Sequence, residues 1–374
     1  MPRRFRILHI ISSGQSGIAS EQAECAARLA REGFDTETCI LTAMQDLRWS
    51  YDVAAYLAVG RRIRQFLPDV VHTWDHTAHL YAASQYAAKR IIAEKRSVQM
   101  PMAHPFLSKL RRHLDKWTDR FIVPHKVCDC PKTVVIPPAA VPLDYSEPVS
   151  AEEFLAKHDI PSVETSGDYY PVFRSQYDHV RRNYQPKPAS TTPFLIGITL
   201  PLRSEHRILD ALWVCETLNH VHLNFHAFFV GDGKDREEFL RYRDRWKLFS
   251  RVHFLGNRKD VHRLLPNFDV LLHLSPLPEY SGAILSAMSC GVPVIALETQ
   301  ESRAYILDGA SGILIPHNED FRFYRRTAAK RLLYLLENEE LRRAMQRAAR
   351  ERVAREFNFD TAFERRLALY REFC

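Results

Sequence analysis

The sequence predicts an α/β protein in two domains, each a parallel sheet covered by helices. Short apolar runs alternate with helical patterns from the start of the chain, and the same rhythm restarts after residue 190. Length agrees, because 374 residues exceed what one compact core holds and suit two domains that each bury their own sheet.

In order, RILHII reads as a first strand, SEQAECAARLAREG from Ser20 as a helix, TETCIL as a strand, Val59 to Phe66 as a helix and PDVVHTW as a strand. Basic residues precede Ile7 to Ile11, but that run is too short for a signal-peptide core and leads into a Gly-Ser turn. Residues 145 to 190, rich in Pro, Ser and Tyr without sustained periodicity, read as a linker or insertion. The second half continues with FLIGITL, a helix from Ile208 to Thr217, FHAFFVGDG, a helix from Asp235 to Lys247, VHFLG, a short helix from Val261 to Leu265 and DVLLHLS. Two such halves make two Rossmann-like domains. A basic, alanine-rich helical stretch runs from Asp320 to Phe357, and FDTAFERRLALYREF forms a last helix.

Composition narrows the function. A net charge of +7 suits anionic partners such as nucleotide sugars, phosphorylated lipid carriers or acidic membranes, yet is too mild to argue for nucleic acid, for which no recognition helix or aromatic-basic repeat speaks. Seven scattered cysteines argue for a reducing compartment, and no apolar run is long enough to span a bilayer, so a cytoplasmic protein is expected. His125, Cys128 and Cys130 lack an evident fourth metal ligand, and His72 and His76 lack an HExxH frame, so no metal is expected. Residues 107 to 121 read as a basic amphipathic helix. It suits either packing on its own sheet or peripheral contact with an anionic membrane.

The most informative stretch is Ser275 to Pro293, SPLPEYSGAILSAMSCGVP, an acid before a Ser-Gly turn that opens an apolar helix ending at Cys-Gly-Val-Pro. Amides of Ser281, Gly282 and Ala283 would be unpaired helix N-terminal donors able to hold a phosphate, with Glu279 beside whatever the phosphate carries. An acid at a helix start also stabilises the helix by roughly 0.3 to 1 kcal/mol.

This stretch resembles the signature of family 4 glycosyltransferases. So does the order of the VGDG turn, a charged helix, RVHFLG, DVLLHLS, GASGILIP and the KTVVIPPAAV turn. The resemblance implies a GT-B fold, two Rossmann-like domains facing each other across a cleft. Residues 1 to 144 would be the acceptor domain, 145 to 190 a linker, 191 to 356 the nucleotide-sugar domain and 357 to 374 a helix crossing back. It implies retaining transfer from a nucleotide-sugar donor to a glycan or lipid-linked acceptor, with the sugar as substrate and no cofactor. Glu279 would bind donor-sugar hydroxyls, and His104 would face the transferred sugar. His72 and His76 would line the acceptor side.

For donor binding it implies Gly17 at the first turn, Gly231 of the VGDG turn, Asn257 after FLG, and Ser281, Gly282 and Ala283. Ser286 stands where the family has a ribose-binding glutamate. Where the family has an Arg and a Lys toward the diphosphate, Pro201 and His206 stand here, so Arg203, Arg207 and a protonated His206 are expected to serve. Those replacements also support an alternative, a GT-B protein without turnover that acts as a binding or assembly subunit. A GT-B epimerase is a weaker third reading.

Overall fold

A computed structural model describes residues 4–11, 17–41, 53–83, 90–94, 118–123, 132–141, 147–160, 192–221, 224–258, 260–277, 282–317 and 320–374. The chain divides into two compact units, Met1–Val141 with Glu356–Cys374, and Pro142–Arg355. Each holds one six-stranded sheet, and every strand pairing in it is parallel.

In the first unit, β1 (Arg6–Ile11), β2 (Asp35–Ile40), β3 (Val70–Thr73), β4 (Ile91–Glu94), β5 (Arg120–Val123) and β6 (Thr133–Val135) lie in the order β2-β1-β3-β4-β5-β6. The apolar run of β1 has no polar face because both faces are covered. Ile7 and Ile11 join Val70, Trp74 and Ile92 in one core. Leu8 and Ile10 join Val71 in the other, under α2 (Val53–Phe66) and α3 (His76–Ala83).

The first core is closed by the C-terminal helix, Phe359–Arg371, through Phe359, Phe363, Leu367 and Tyr370. Its start is capped by the Asn358 carbonyl, which accepts from the amides of Asp360 and Thr361. The helix also carries a buried cation. Arg366 donates to Glu21 of α1 (Gly17–Arg31) at 2.7 Å with the two side chains 1% and 3% exposed, and its guanidinium lies over Trp74. Nearby, Tyr370 Oη and His72 Nδ1 are hydrogen-bonded at 2.5 Å, and Trp74 Nε1 donates to His9 Nδ1.

In the second unit, β7 (Phe194–Thr199), β8 (Phe225–Val230), β9 (Val252–Gly256), β10 (Val270–His273), β11 (Val294–Leu297) and β12 (Gly312–Ile315) lie in the order β12-β11-β10-β7-β8-β9. Ile196, Ile198, Val270 and Leu272 share the core with Leu212 and Leu218 of the helix Ile208–Val221 and Ala328 and Leu332 of the helix Phe321–Glu337. On the opposite face Gly197 leaves room for Phe268, whose ring would stand 2.2 Å from an added Cβ. Phe268 stacks on Phe228, and Phe228 stands beside the paired rings of His226 and His253, whose nitrogens are 2.9 Å apart.

Several expectations change. The stretch read as a linker or insertion contains a helix, α4 (Ala151–Lys157), capped by Ser150, whose Oγ accepts from the Glu153 amide. Its Phe154 packs edge-on to Phe228 and Phe268, which ties the segment to the second unit. Helix α1 starts at Gly17, before the expected Ser20. His76 opens helix α3, whereas His72 lies within a strand. Within the expected helix 107–121, Arg120 and Phe121 belong to β5 and Phe121 is buried, because they pair with β4 and β6. Residues 107–117 lie outside the described residues. The long C-terminal stretch is two helices, Phe321–Glu337 and Glu339–Glu356, separated at Asn338.

The Arg366–Glu21 pair gives a direct test. Arg366→Met or Glu21→Leu alone leaves a buried charge without its partner and should destabilise the first unit by about 3 to 5 kcal/mol, whereas the double variant should lose much less. Urea unfolding of the three variants measures this.

Candidate active site

In the second sheet the chain leaves β7 toward β8 and β9, then returns to the other side of β7 to build β10, β11 and β12. The connections that follow β7 and β10 therefore diverge. The crevice outside their carboxyl ends is where open parallel sheets bind ligands.

The turn after β7, Leu200 to Arg207, is locked to the turn after β8. Leu202 N donates to Asp232 O at 3.1 Å and Asp235 N donates to Leu202 O at 3.2 Å. Glycine is required for this approach. Gly231 has φ +150°, and an added Cβ would lie 2.1 Å from Leu200 O; at Gly233 it would lie 2.4 Å from Leu202 O. The VGDG glycines thus serve loop packing directly. Asp235 accepts from both the amide and the hydroxyl of Ser204, and the hydroxyl bond is the main reason its carboxyl is held below the usual range.

Arg203, Ser204, Glu205 and His206 follow one another along this turn, with Ser204–His206 forming a single 3-10 turn. Arg203 Nη1 lies 3.4 Å from Glu205, with its side chain 22% exposed. Arg207, in the left-handed region at φ 57°, turns instead to the unit's own frame. It donates to Tyr324 Oη at 2.7 Å and lies 3.7 Å from Asp210, which Arg325 also holds. Its placement supports packing against the helix Phe321–Glu337 more directly than the expected phosphate contact.

His206 corrects the expectation of a protonated imidazole. It is 1% exposed, and burial pulls its pKa down to about 4, so it is neutral near pH 7. Its Nδ1 is hydrogen-bonded to Ser275 Oγ at 3.0 Å, and that hydroxyl also accepts the Leu277 amide at 3.2 Å.

Sequence reasoning missed His273, the last residue of β10, although a histidine in the apolar run DVLLHLS was the available signal. It is 3% exposed, and burial, helped by nearby His206, pulls its pKa down to about 3. Counting on from the Leu271–Gly197 pair, His273 stands opposite Thr199. Among the described residues, His273 Nδ1 and Thr199 Oγ1 are buried without a hydrogen-bond partner. The strand ends therefore present neutral polar groups.

The helix opened by the signature, Gly282–Cys290, buries Ile284, Leu285, Ala287 and Met288. Gly282, Ala283, Ser286 and Ser289 are only half-buried, so three expected donor residues share one helical stripe. The amides of Gly282 and Ala283 have no acceptor within the helix. The far end of the signature is structural. Gly291 has φ +77°, and Arg350 donates through Nε and Nη2 to Cys290 O at 3.1 and 2.7 Å, satisfying a terminal carbonyl.

Asn257 is exposed directly after β9, and Gly17 is the first residue of α1 in the other unit. Glu279, Ser281, His104, His125, Cys128 and Cys130 lie outside the described residues. Among the described residues no group of three His, Cys, Asp or Glu is arranged to hold a metal ion, and no helix is long and apolar enough to cross a membrane.

The two parallel sheets and the switch-point crevice define a GT-B α/β protein. Residues 203–338 match the family described as Glycosyl transferases group 1.

N-acetyl-alpha-D-glucosaminyl L-malate synthase of Bacillus anthracis is 33% identical over 128 residues, 34% of this chain and 32% of the relative. The lipopolysaccharide glucosyltransferase WaaG of Escherichia coli K12 is 31% identical over 125 residues, 32% of this chain and 31% of that protein. The matched stretch thus spans about a third of the length of the curated relatives. Among solved structures, Anabaena HepE in complex with UDP and glucose superposes with a TM-score of 0.71 at 15% identity, covering 99% of this chain and 100% of that one.

Gly231→Ala should destabilise the second unit by about 1 to 3 kcal/mol, seen as a lower thermal midpoint, because the residue would be strained and would collide with a backbone carbonyl. Buried neutral histidines also set a pH dependence. In the unfolded chain they bind protons below about 6.5, while folded His206 and His273 resist until about 4 and 3. Their contribution is fully present above about pH 6.5 and is lost as pH falls toward the folded values. Urea unfolding at pH 7.5 and 4.5 should show that loss, reduced in His273→Leu.

Proposed function

We propose that the chain is a retaining glycosyltransferase that moves a sugar from a nucleotide-sugar donor to a hydroxyl of a glycan or lipid-linked saccharide. The observation that carries this reading is the switch-point crevice of the second unit. There the helix N-terminal amides of Gly282 and Ala283 follow one strand of the divide and Arg203 follows the other, both inside the stretch that matches the glycosyltransferase family. UDP and glucose bound to the HepE neighbour supply the class of ligand.

In this reading the donor diphosphate sits at the start of Gly282–Cys290, where helix amides and the Arg203 guanidinium meet its charge. Gly231 and Asn257 belong to the turns on the β8 and β9 side of the crevice, and Gly17 to the acceptor unit. By the resemblance, Ser281 adds a donor beside Gly282, Glu279 holds sugar hydroxyls, and His104 serves the transferred sugar. Ser286, in place of a carboxylate, gives the ribose one hydrogen bond, which lowers nucleotide affinity by about 1 to 3 kcal/mol.

As the bond from the anomeric carbon to the diphosphate oxygen breaks, its electron pair stays on the diphosphate. The acceptor hydroxyl attacks from the same face and passes its proton to that oxygen, so configuration is retained. The net charge of +7 favours acceptors on anionic carriers. We assign the activity to the cytoplasm, with peripheral contact with an anionic membrane.

Ligand-observed NMR against UDP-, GDP- and ADP-sugars tests the reading. One donor should bind saturably; Arg203→Ala should weaken it about tenfold, and Glu279→Gln should retain the nucleotide while abolishing transfer. No binding of any donor at millimolar concentration would overturn the proposal.

A further inference from the structure

We infer that His206 is a positioning residue of the donor site, clasping the turn after β7, through Ser275, to the connection that leads from β10 to the helix Gly282–Cys290. The inference rests on the glycosyltransferase reading, because it assigns His206 the task of holding two donor-binding segments together.

The two segments are remote in sequence and joined by one hydroxyl. Ser275 Oγ meets His206 Nδ1 at 3.0 Å across a separation of 69 residues. The same oxygen accepts the Leu277 amide at 3.2 Å, which ties down the first residues of the chain that leaves β10. On the other side, His206 N donates to Arg203 O at 3.1 Å, so the imidazole is coupled through its own backbone to the arginine of the turn. Ser204, between them, is held by Asp235 from the turn after β8. Three loops at the carboxyl edge of the sheet are thus linked in series: Asp235 to Ser204, His206 to Ser275, and Ser275 to Leu277.

Burial decides between a clasp and a phosphate ligand. At the position where the resembling family carries a lysine toward the diphosphate, this chain has a side chain that is 1% exposed and directed at a hydroxyl. An ammonium group at that depth would be removed from water, which is costly. Histidine supplies a hydrogen bond at that depth without an obligatory charge.

The test compares His206→Ala, His206→Asn, His206→Lys, Ser275→Ala and the His206→Ala/Ser275→Ala double variant. UDP, GDP and ADP titrations are run alongside hydrogen exchange of peptides spanning 270–277 and 282–290 in the unliganded protein. His206→Ala and Ser275→Ala should each weaken the bound nucleotide about tenfold and speed exchange in both peptides, with the double variant no worse than either single one. His206→Asn, which keeps a hydrogen-bonding group, should stay within about threefold of wild type and serves if the alanine variant fails to fold. His206→Lys should bind no better than His206→Ala.

Tighter nucleotide binding in His206→Lys would make the position a phosphate site and overturn the clasp, as would unchanged exchange in both alanine variants. If no nucleotide binds wild type while exchange rises in the variants, the clasp stands and the glycosyltransferase reading falls.

Discussion

The parallel pairing of β7 with both β8 and β10 is the constraint on which the second unit depends. The chain runs from β7 to β8 and β9 on one side and returns to lay β10 on the other, so the connections that leave these two neighbouring strands diverge. That divergence opens the crevice. The close contact of Leu200 and Leu202 with the glycine turn after β8 then fixes one wall of it, and Ser275 reaches across from the other. Gly197 serves the same arrangement from beneath, since its missing side chain admits Phe268 and thereby the ring stack that α4 joins.

The electrostatic character of this edge follows from burial. His206 and His273 are both desolvated, which disfavours their charged forms, so both rings stay neutral near pH 7. Under the proposed function an anion would meet Arg203 and the amides that begin Gly282–Cys290, groups that need no protonation. Arg207 contributes little there because its guanidinium is paired with Asp210 and Tyr324. A site built this way depends weakly on pH near neutrality, and its hydrogen-bond donors are set by backbone geometry.

The sheet was legible in the sequence because strands buried on both faces read as continuous apolar runs, as in Phe194–Thr199 and Phe225–Val230. Helix α4 was not, since seven residues burying only Phe154 and Leu155 show no measurable period, although Ser150 before Glu153 carried the cap signal. Gly282, Ala283 and Ser286 could be placed on one stripe from helical spacing alone. The state of His206 could not, because it depends on burial in the fold and on a hydrogen bond to Ser275, far away in sequence. The partners of Arg207 were hidden for the same reason, Tyr324 being supplied by a helix over a hundred residues later. Local spacing is written in the sequence; the charge state of a group depends on what the fold brings over it.

The first unit applies a related logic to its own completion. Its sheet is assembled before Val141, yet one face of its core needs Phe359, Phe363 and Tyr370 from the end of the chain. The same helix brings Arg366 to Glu21 and Tyr370 to His72, polar groups that would otherwise lie exposed or be buried without these partners. During synthesis the residues that close this face come only after the whole second unit has been made. The buried ion pair adds selectivity to that late docking. Any apolar helix can cover Ile7 and Trp74, but a helix that also presents a guanidinium at the place of Arg366 satisfies Glu21, and only the correct register does both.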